Sequence, residues 1–270
     1  MITIAKPPPV QDPVTRQRRR RRPPINRVRV TGRGATALAA RRQAGTVLIA
    51  EQPWRSPKPL FRLRLALLLP ALLFAFSLSQ NLANMDTVDF HRDEARWINR
   101  AYFFGDLAHP FGETWSNYYT TRGQPPLGNY LMGAGLLLQG RDLDTNRVWD
   151  FPYDEAWNVS VGASPEPADL NAGRRTNAVV GALVVVCVYA MASRLTNRFG
   201  GFVAGFFLSI HPLHLRLSSQ ALSDELLALT IVLSFLAAFR LARNQDLGSG
   251  LLLGALLGLG GAAKLSPLLI

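Results

Sequence analysis

Asp93 and Glu94 are adjacent acids followed closely by a guanidinium, in the stretch Asp93-Glu94-Ala95-Arg96-Trp97. On a helix, Asp93 and Arg96 stand three positions apart and share a face. A carboxylate held there can take a proton from an incoming hydroxyl or hold a divalent cation, and the guanidinium can grip a phosphate through two parallel hydrogen bonds. The plainer alternative is a helix N-terminus with a surface ion pair.

Three further places carry ionisable groups beside apolar blocks. In Ser218-Ser219-Gln220-Ala221-Leu222-Ser223-Asp224-Glu225, an acidic pair opens a long apolar stretch. Asp224 there is either a second carboxylate on the same cavity or simply a complement to the helix dipole, with Ser223 as cap. Lys264 follows the glycine-rich apolar run that starts at Gly250. A lysine near the end of a membrane helix marks a site by default, and snorkelling to the headgroups is its alternative. Arg174 and Arg175 open another apolar block, and together with Lys264 they predict a cationic cluster that calls for something anionic nearby.

These groups need elements to hold them, and the apolar residues supply helices of membrane length. Leu65–Met85 contains no charge and, at about 1.5 Å per residue, covers a hydrocarbon core of about 30 Å. Comparable blocks lie at 176–193, 199–215, 226–239 and 247–270, and the fourth must borrow residues from the side of Asp224-Glu225. The expectation is an all-α polytopic membrane protein with about five transmembrane helices. Its extracytoplasmic loop, 86–173, should contain interfacial helices at Asp93–Phe104 and Leu127–Gln139, the latter begun by Pro126.

The net charge of +12 is unevenly placed: residues 1–64 hold sixteen Lys and Arg against two acids, whereas 86–173 hold thirteen acids and six Arg. By the positive-inside rule the N-terminus is cytoplasmic and the long loop lies outside a cytoplasmic membrane. Residues 1–60, rich in Pro and Arg, read as a disordered basic tail, and 61–270 as the membrane domain. The location of the basic charge points away from nucleic acid; the tail is either drawn to anionic membrane lipids or is a solvated topology determinant without a partner. A single cysteine, Cys187, excludes an intrachain disulfide framework and gives no metal-site spacing. No phosphate-binding glycine loop and no nucleophile elbow occurs in the sequence.

The order of these elements resembles the membrane glycosyltransferases of the C-type superfamily over residues 62–270. The resemblance runs from an acid pair with Arg96, through Gly123-Gln124-Pro125-Pro126-Leu127, to Arg174-Arg175-Thr176-Asn177 opening the second span. It continues with Ala221-Leu222-Ser223-Asp224-Glu225-Leu226 and the run ending in Lys264. Within that superfamily the chain looks most like the protein O-mannosyltransferases and the bacterial aminoarabinose transferase of lipid A.

The resemblance implies a hexosyl- or pentosyltransferase using a sugar on polyprenyl phosphate, with a glycan, lipid or protein acceptor outside the membrane. It makes Asp93 the catalytic carboxylate with Glu94 its neighbour. Arg96, Lys264 and Arg174 would hold the donor phosphate, and Asp224 would be a further acid of the site. Outer carboxylates could hold a divalent metal, joined by His91 or His109. A basic residue commonly precedes the Pro-Pro-Leu element; here Gln124 stands in that place, so the contact passes to Arg122 or is lost. Members of the superfamily have more than twice as many membrane helices, so the chain reads as their N-terminal portion and as incomplete. The rival readings are a transporter or flippase of lipid-linked substrates, and a truncated remnant without catalysis.

Overall fold

In the computed structural model, the uncharged run after Arg64 becomes the greater part of α1, Pro59–Asn84. The structure describes residues 59–109, 112–113 and 125–264, with the side chains of α1 from Leu67 onward. The basic tail expected over 1–60 thus lies almost wholly outside the described residues, as do Arg122, Gln124 and the aromatics Trp115, Tyr118 and Tyr119.

The described residues contain nine α-helices and one 3-10 segment joined by loops, and no strand. After α1 come α2 (Arg92–Asn99) and a 3-10 segment (Arg100–Ala108), then α3 (Leu127–Leu138) and α4 (Glu155–Ser160). The second half contains α5 (Pro167–Leu195), α6 (Arg198–Ser209), α7 (Pro212–Ser218), α8 (Asp224–Asn244) and α9 (Leu247–Ala263).

Helices α1, α5 and α8 are long and apolar enough to cross a membrane. Helix α8 starts at Asp224 and so takes in the residues its apolar block lacked. Helix α5 starts at Pro167, well before Thr176, because a proline in the first turn sacrifices no internal hydrogen bond. Arg174 is therefore carried inside a helix and not at its outer end.

The block 199–215 does not form one span. His211 is extended (φ −70°, ψ 127°), as a residue before proline prefers, and Pro212 starts a separate helix. Helix α6, 12 residues long, reaches only about 18 Å, well short of the hydrocarbon thickness. Helix α9 has 17 residues, ending where Lys264 turns extended. Of the five blocks expected to span, three form helices of spanning length, one is the 17-residue α9, and one is divided between α6 and α7.

In the bundle, α5 packs against α1, α6 and α8, and α8 against α9. Buried amides and hydroxyls tie these helices where apolar contact gives little specificity. Asn81 donates to the Ala178 carbonyl, Ser219 to that of Asn81, and Asn177 to those of Leu217 and Gln220.

The loop elements sit on one end of this bundle. Trp97, Ile98 and Ala101 pack with Met132 and Leu136 of α3, Ala172 of α5 and Leu222 ahead of α8. Glycines make the approach close: a Cβ at Gly133 would meet the Ala101 carbonyl oxygen at 2.6 Å, and one at Gly128 would meet the Trp97 ring at 2.5 Å. From the other side, the buried Asn146 amide donates to the carbonyls of Ala95 and Ala163 and pins the loop 141–149 across α2. Helix α3 closes on Gly140, whose φ of 70° suits glycine, and the next amides return to the carbonyls of Leu136 and Leu137. Asn158 is fully buried and bonded to Asp150, Tyr153 and Asp154, so its amide serves the loop's folding.

Candidate active site

The first turn of α2 sets the two acids on different tasks. His91 caps the helix: its Nδ1 accepts from the Asp93 amide at 3.2 Å, while its own amide donates to Glu94 Oε2 at 2.9 Å. This is a reciprocal cap that satisfies two otherwise orphaned donors. It also fixes Glu94 facing inward and leaves Asp93 on the outer face.

Glu94 is fully buried and all its acceptor positions are used. Arg174 Nε reaches Oε1 and Nη2 reaches Oε2, each at 2.8 Å, and the Ala221 amide donates to Oε1 at 2.8 Å. Arg174 spends its remaining nitrogen on the carbonyls of Met85 and Val88. One ion pair thus joins α2 to α5, to the end of α1 and to the segment leading into α8.

Asp93 faces a cavity of about 520 Å³ instead. Its side chain is 42 % exposed and accepts no hydrogen bond from the described residues. His91 Nδ1, 3.7 Å away, has its lone pair turned to the Asp93 amide. Around Asp93 the cavity is lined by Trp97, Arg216, Asp224 and Lys264, with Leu213 and Leu217 as apolar wall. Lys264 Nζ donates to Asp224 Oδ1 at 2.7 Å, bridging the end of α9 to the start of α8. Both groups of that pair are more than a third exposed, so the bridge holds them loosely, at about 0–1 kcal/mol. Arg216, exposed in the last turn of α7, has no ion-pair partner among the described residues.

The cavity therefore brings together a carboxylate that accepts no hydrogen bond from the described residues, a guanidinium without an ion-pair partner among them, and a loosely paired ammonium, on apolar walls. Such a set can deprotonate a hydroxyl while holding a phosphate. Three of the residues singled out in the sequence meet here, Asp93, Asp224 and Lys264. Arg96 lies over the Phe151 ring, 4.4 Å from its centroid, on the loop side of α2. Arg174 lies beneath the cavity, held by Glu94. The anion that the cationic cluster called for is supplied by the protein itself, as Glu94 for Arg174 and Asp224 for Lys264.

Residues 167–269 match the model of the dolichyl-phosphate-mannose-protein mannosyltransferase family.

The resemblance drawn from the order of motifs to membrane glycosyltransferases of this superfamily is thereby borne out, and the matched segment runs through α5 to α9. It includes Arg216, Asp224 and Lys264, three of the cavity's charged residues, while Asp93 comes from the loop that precedes it. No curated protein and no solved structure matches the chain.

For a metal the arrangement offers little. Among the described residues no three His, Cys, Asp or Glu side chains converge. In the cavity, His91 Nδ1 is engaged as a cap and Asp224 is bridged to Lys264. His109 ends the 3-10 segment beside a separate depression lined by Asp106, Glu113 and Asp144.

Arg216 is the site residue that sequence reasoning missed. It falls at the edge of an apolar block read as one span, where a basic residue counts only as flanking charge. Pro212 is the signal that could have exposed it, because a proline there restarts the chain as a short helix and carries Arg216 to the cavity.

Proposed function

We propose that the chain carries a site for transferring a sugar from a polyprenyl-phosphate donor to an acceptor hydroxyl on the outer side of the cytoplasmic membrane, with the N-terminus inside. What carries the reading is the Asp93 carboxylate, which accepts no hydrogen bond from the described residues, lining one cavity with Arg216 and Lys264. The family match over 167–269 supports the same donor class.

In this scheme Asp93 accepts the proton of the acceptor hydroxyl as its oxygen attacks the anomeric carbon. The bond from that carbon to the phosphate oxygen breaks with inversion, and the electron pair leaves on the polyprenyl phosphate. Arg216 and Lys264 stabilise the charge that develops there, an effect strongest in a site walled by apolar side chains. Asp224 steers the Lys264 ammonium. Glu94 and Arg174 act as a positioning pair, aiming Asp93 by fixing the helix that bears it, and Arg96 braces the same helix through Phe151. A divalent metal, if one takes part, would have Asp93 and Asp224 as its carboxylates, and no step above requires it.

The test is a transfer assay in membranes containing the chain, with polyprenyl-phosphate-linked hexoses as donors, mannose first because of the family matched. Label appearing in an acceptor that requires Asp93 and Arg216 supports the reading. Movement of the donor across the bilayer without transfer would favour a transporter of lipid-linked substrates.

A further inference from the structure

A second cavity, of about 850 Å³, lies between the C-terminal ends of α5 and α8 and the first half of α9. Helix α8 has 21 residues, so Asp224 at the first cavity and Arg243 at the second are about 30 Å apart, the thickness of the hydrocarbon core. The two cavities thus open at opposite faces of a membrane.

The lining of the second is graded along the helices. Arg194, Arg240 and Arg243 stand at its mouth, and Leu233, Leu236 and Leu256 lie deeper. Leu233 is ten residues from Arg243 on α8, about 15 Å farther into the bilayer. Arg240 Nε donates to Ser249 Oγ at 3.3 Å, and that hydroxyl donates to Asp246 at 2.8 Å, so one carboxylate stands behind one guanidinium. Arg194 and Arg243 have no ion-pair partner among the described residues. Three guanidinium groups about a mouth with one carboxylate nearby leave a positive excess that favours an anion. The leucines beneath favour a hydrocarbon tail over a second water-soluble group. A zwitterionic headgroup would bring its own cation against the arginines.

We propose that this cavity binds one anionic phospholipid from the leaflet on its side, with the phosphate between Arg194 and Arg243 and an acyl chain along Leu233, Leu236 and Leu256. Basic pockets between membrane helices recognise anionic headgroups on these grounds. The inference does not depend on the sugar-transfer reading, which concerns the opposite end of the bundle.

The full chain in detergent, titrated with phosphatidylglycerol or phosphatidylcholine and examined by native mass spectrometry, tests it. Phosphatidylglycerol should be retained at concentrations lower by about tenfold, and Arg194→Gln with Arg243→Gln should remove most of that advantage. The corresponding Lys substitutions should keep it. Leu236→Trp should lower binding while leaving every charge in place, which separates the site from the role of these arginines in membrane orientation. Equal retention of the two lipids would overturn the proposal, as would an unchanged preference in the Gln variants. Displacement of bound phosphatidylglycerol by millimolar inorganic phosphate would likewise overturn it, by showing a phosphate site with no part for the chain.

Discussion

Glu94 and Arg174 meet through two parallel hydrogen bonds of 2.8 Å, one residue buried completely and the other nearly so, while Asp93, one position away, lines a cavity and accepts no hydrogen bond from the described residues. Removing one partner of such a pair strands a buried charge, which typically costs about 3–5 kcal/mol. Glu94→Ala and Arg174→Met should therefore each lower the unfolding temperature of the detergent-solubilised protein sharply. Combining Glu94→Gln with Arg174→Met leaves no stranded charge and should recover part of the loss.

The same relationship shows how much of the site could be read from the sequence. That an acid pair followed the first span was plain, and Asp93, Asp224 and Lys264 do line one cavity. Which acid of the pair faces the cavity was not legible. The His91 cap makes part of that choice locally, but Arg174, eighty positions away, and the Ala221 amide complete it, and no pattern around residue 94 encodes those two. The spans followed from charge-free length, because a membrane helix must satisfy its backbone internally. The extent of α5 and the break before α7 turned instead on Pro167 and Pro212, where one residue outweighs the average hydropathy of its neighbourhood.

Gly128 touches the Trp97 ring, so Gly128→Ala must push that wall of the cavity or shift α3. Overpacking of this kind costs about 1–3 kcal/mol. The expected outcome is a moderate fall in thermal stability together with a changed tryptophan emission spectrum. Gly254→Ala, inside α9 with nothing within 4 Å of the added carbon, should leave the emission unchanged and lower stability not at all.

Arg216 and Lys264 differ in their partners, and their variants should differ accordingly. Arg216→Gln should reduce sugar transfer with stability unaltered, since no ion pair among the described residues is lost, and Arg216→Lys should restore part of the activity. Asp224→Asn releases Lys264 from a half-exposed bridge and should change stability by less than about 1 kcal/mol. Parallel donor titrations and thermal melts separate these effects.

At the start of α9, the backbone and hydroxyl hydrogen bonds from Ser249 hold the Asp246 carboxyl below its ordinary value of 3.8, against a small opposing effect of burial. A folded-state value that is depressed contributes stability present above the ordinary value and lost as pH falls through the lowered one. Amide protection at Ser249 and Gly250 should accordingly decline below the ordinary carboxylate range, and Asp246→Asn should flatten that decline.

Sugar transfer by Asp93→Asn, measured against the unaltered chain at equal membrane content, decides whether Asp93 is the base. The substitution keeps the shape of the side chain and touches no hydrogen bond among the described residues, so insertion and stability should be unchanged while transfer from a polyprenyl-phosphate-linked sugar is lost. Transfer at the unaltered rate would contradict the assignment of Asp93 as the base.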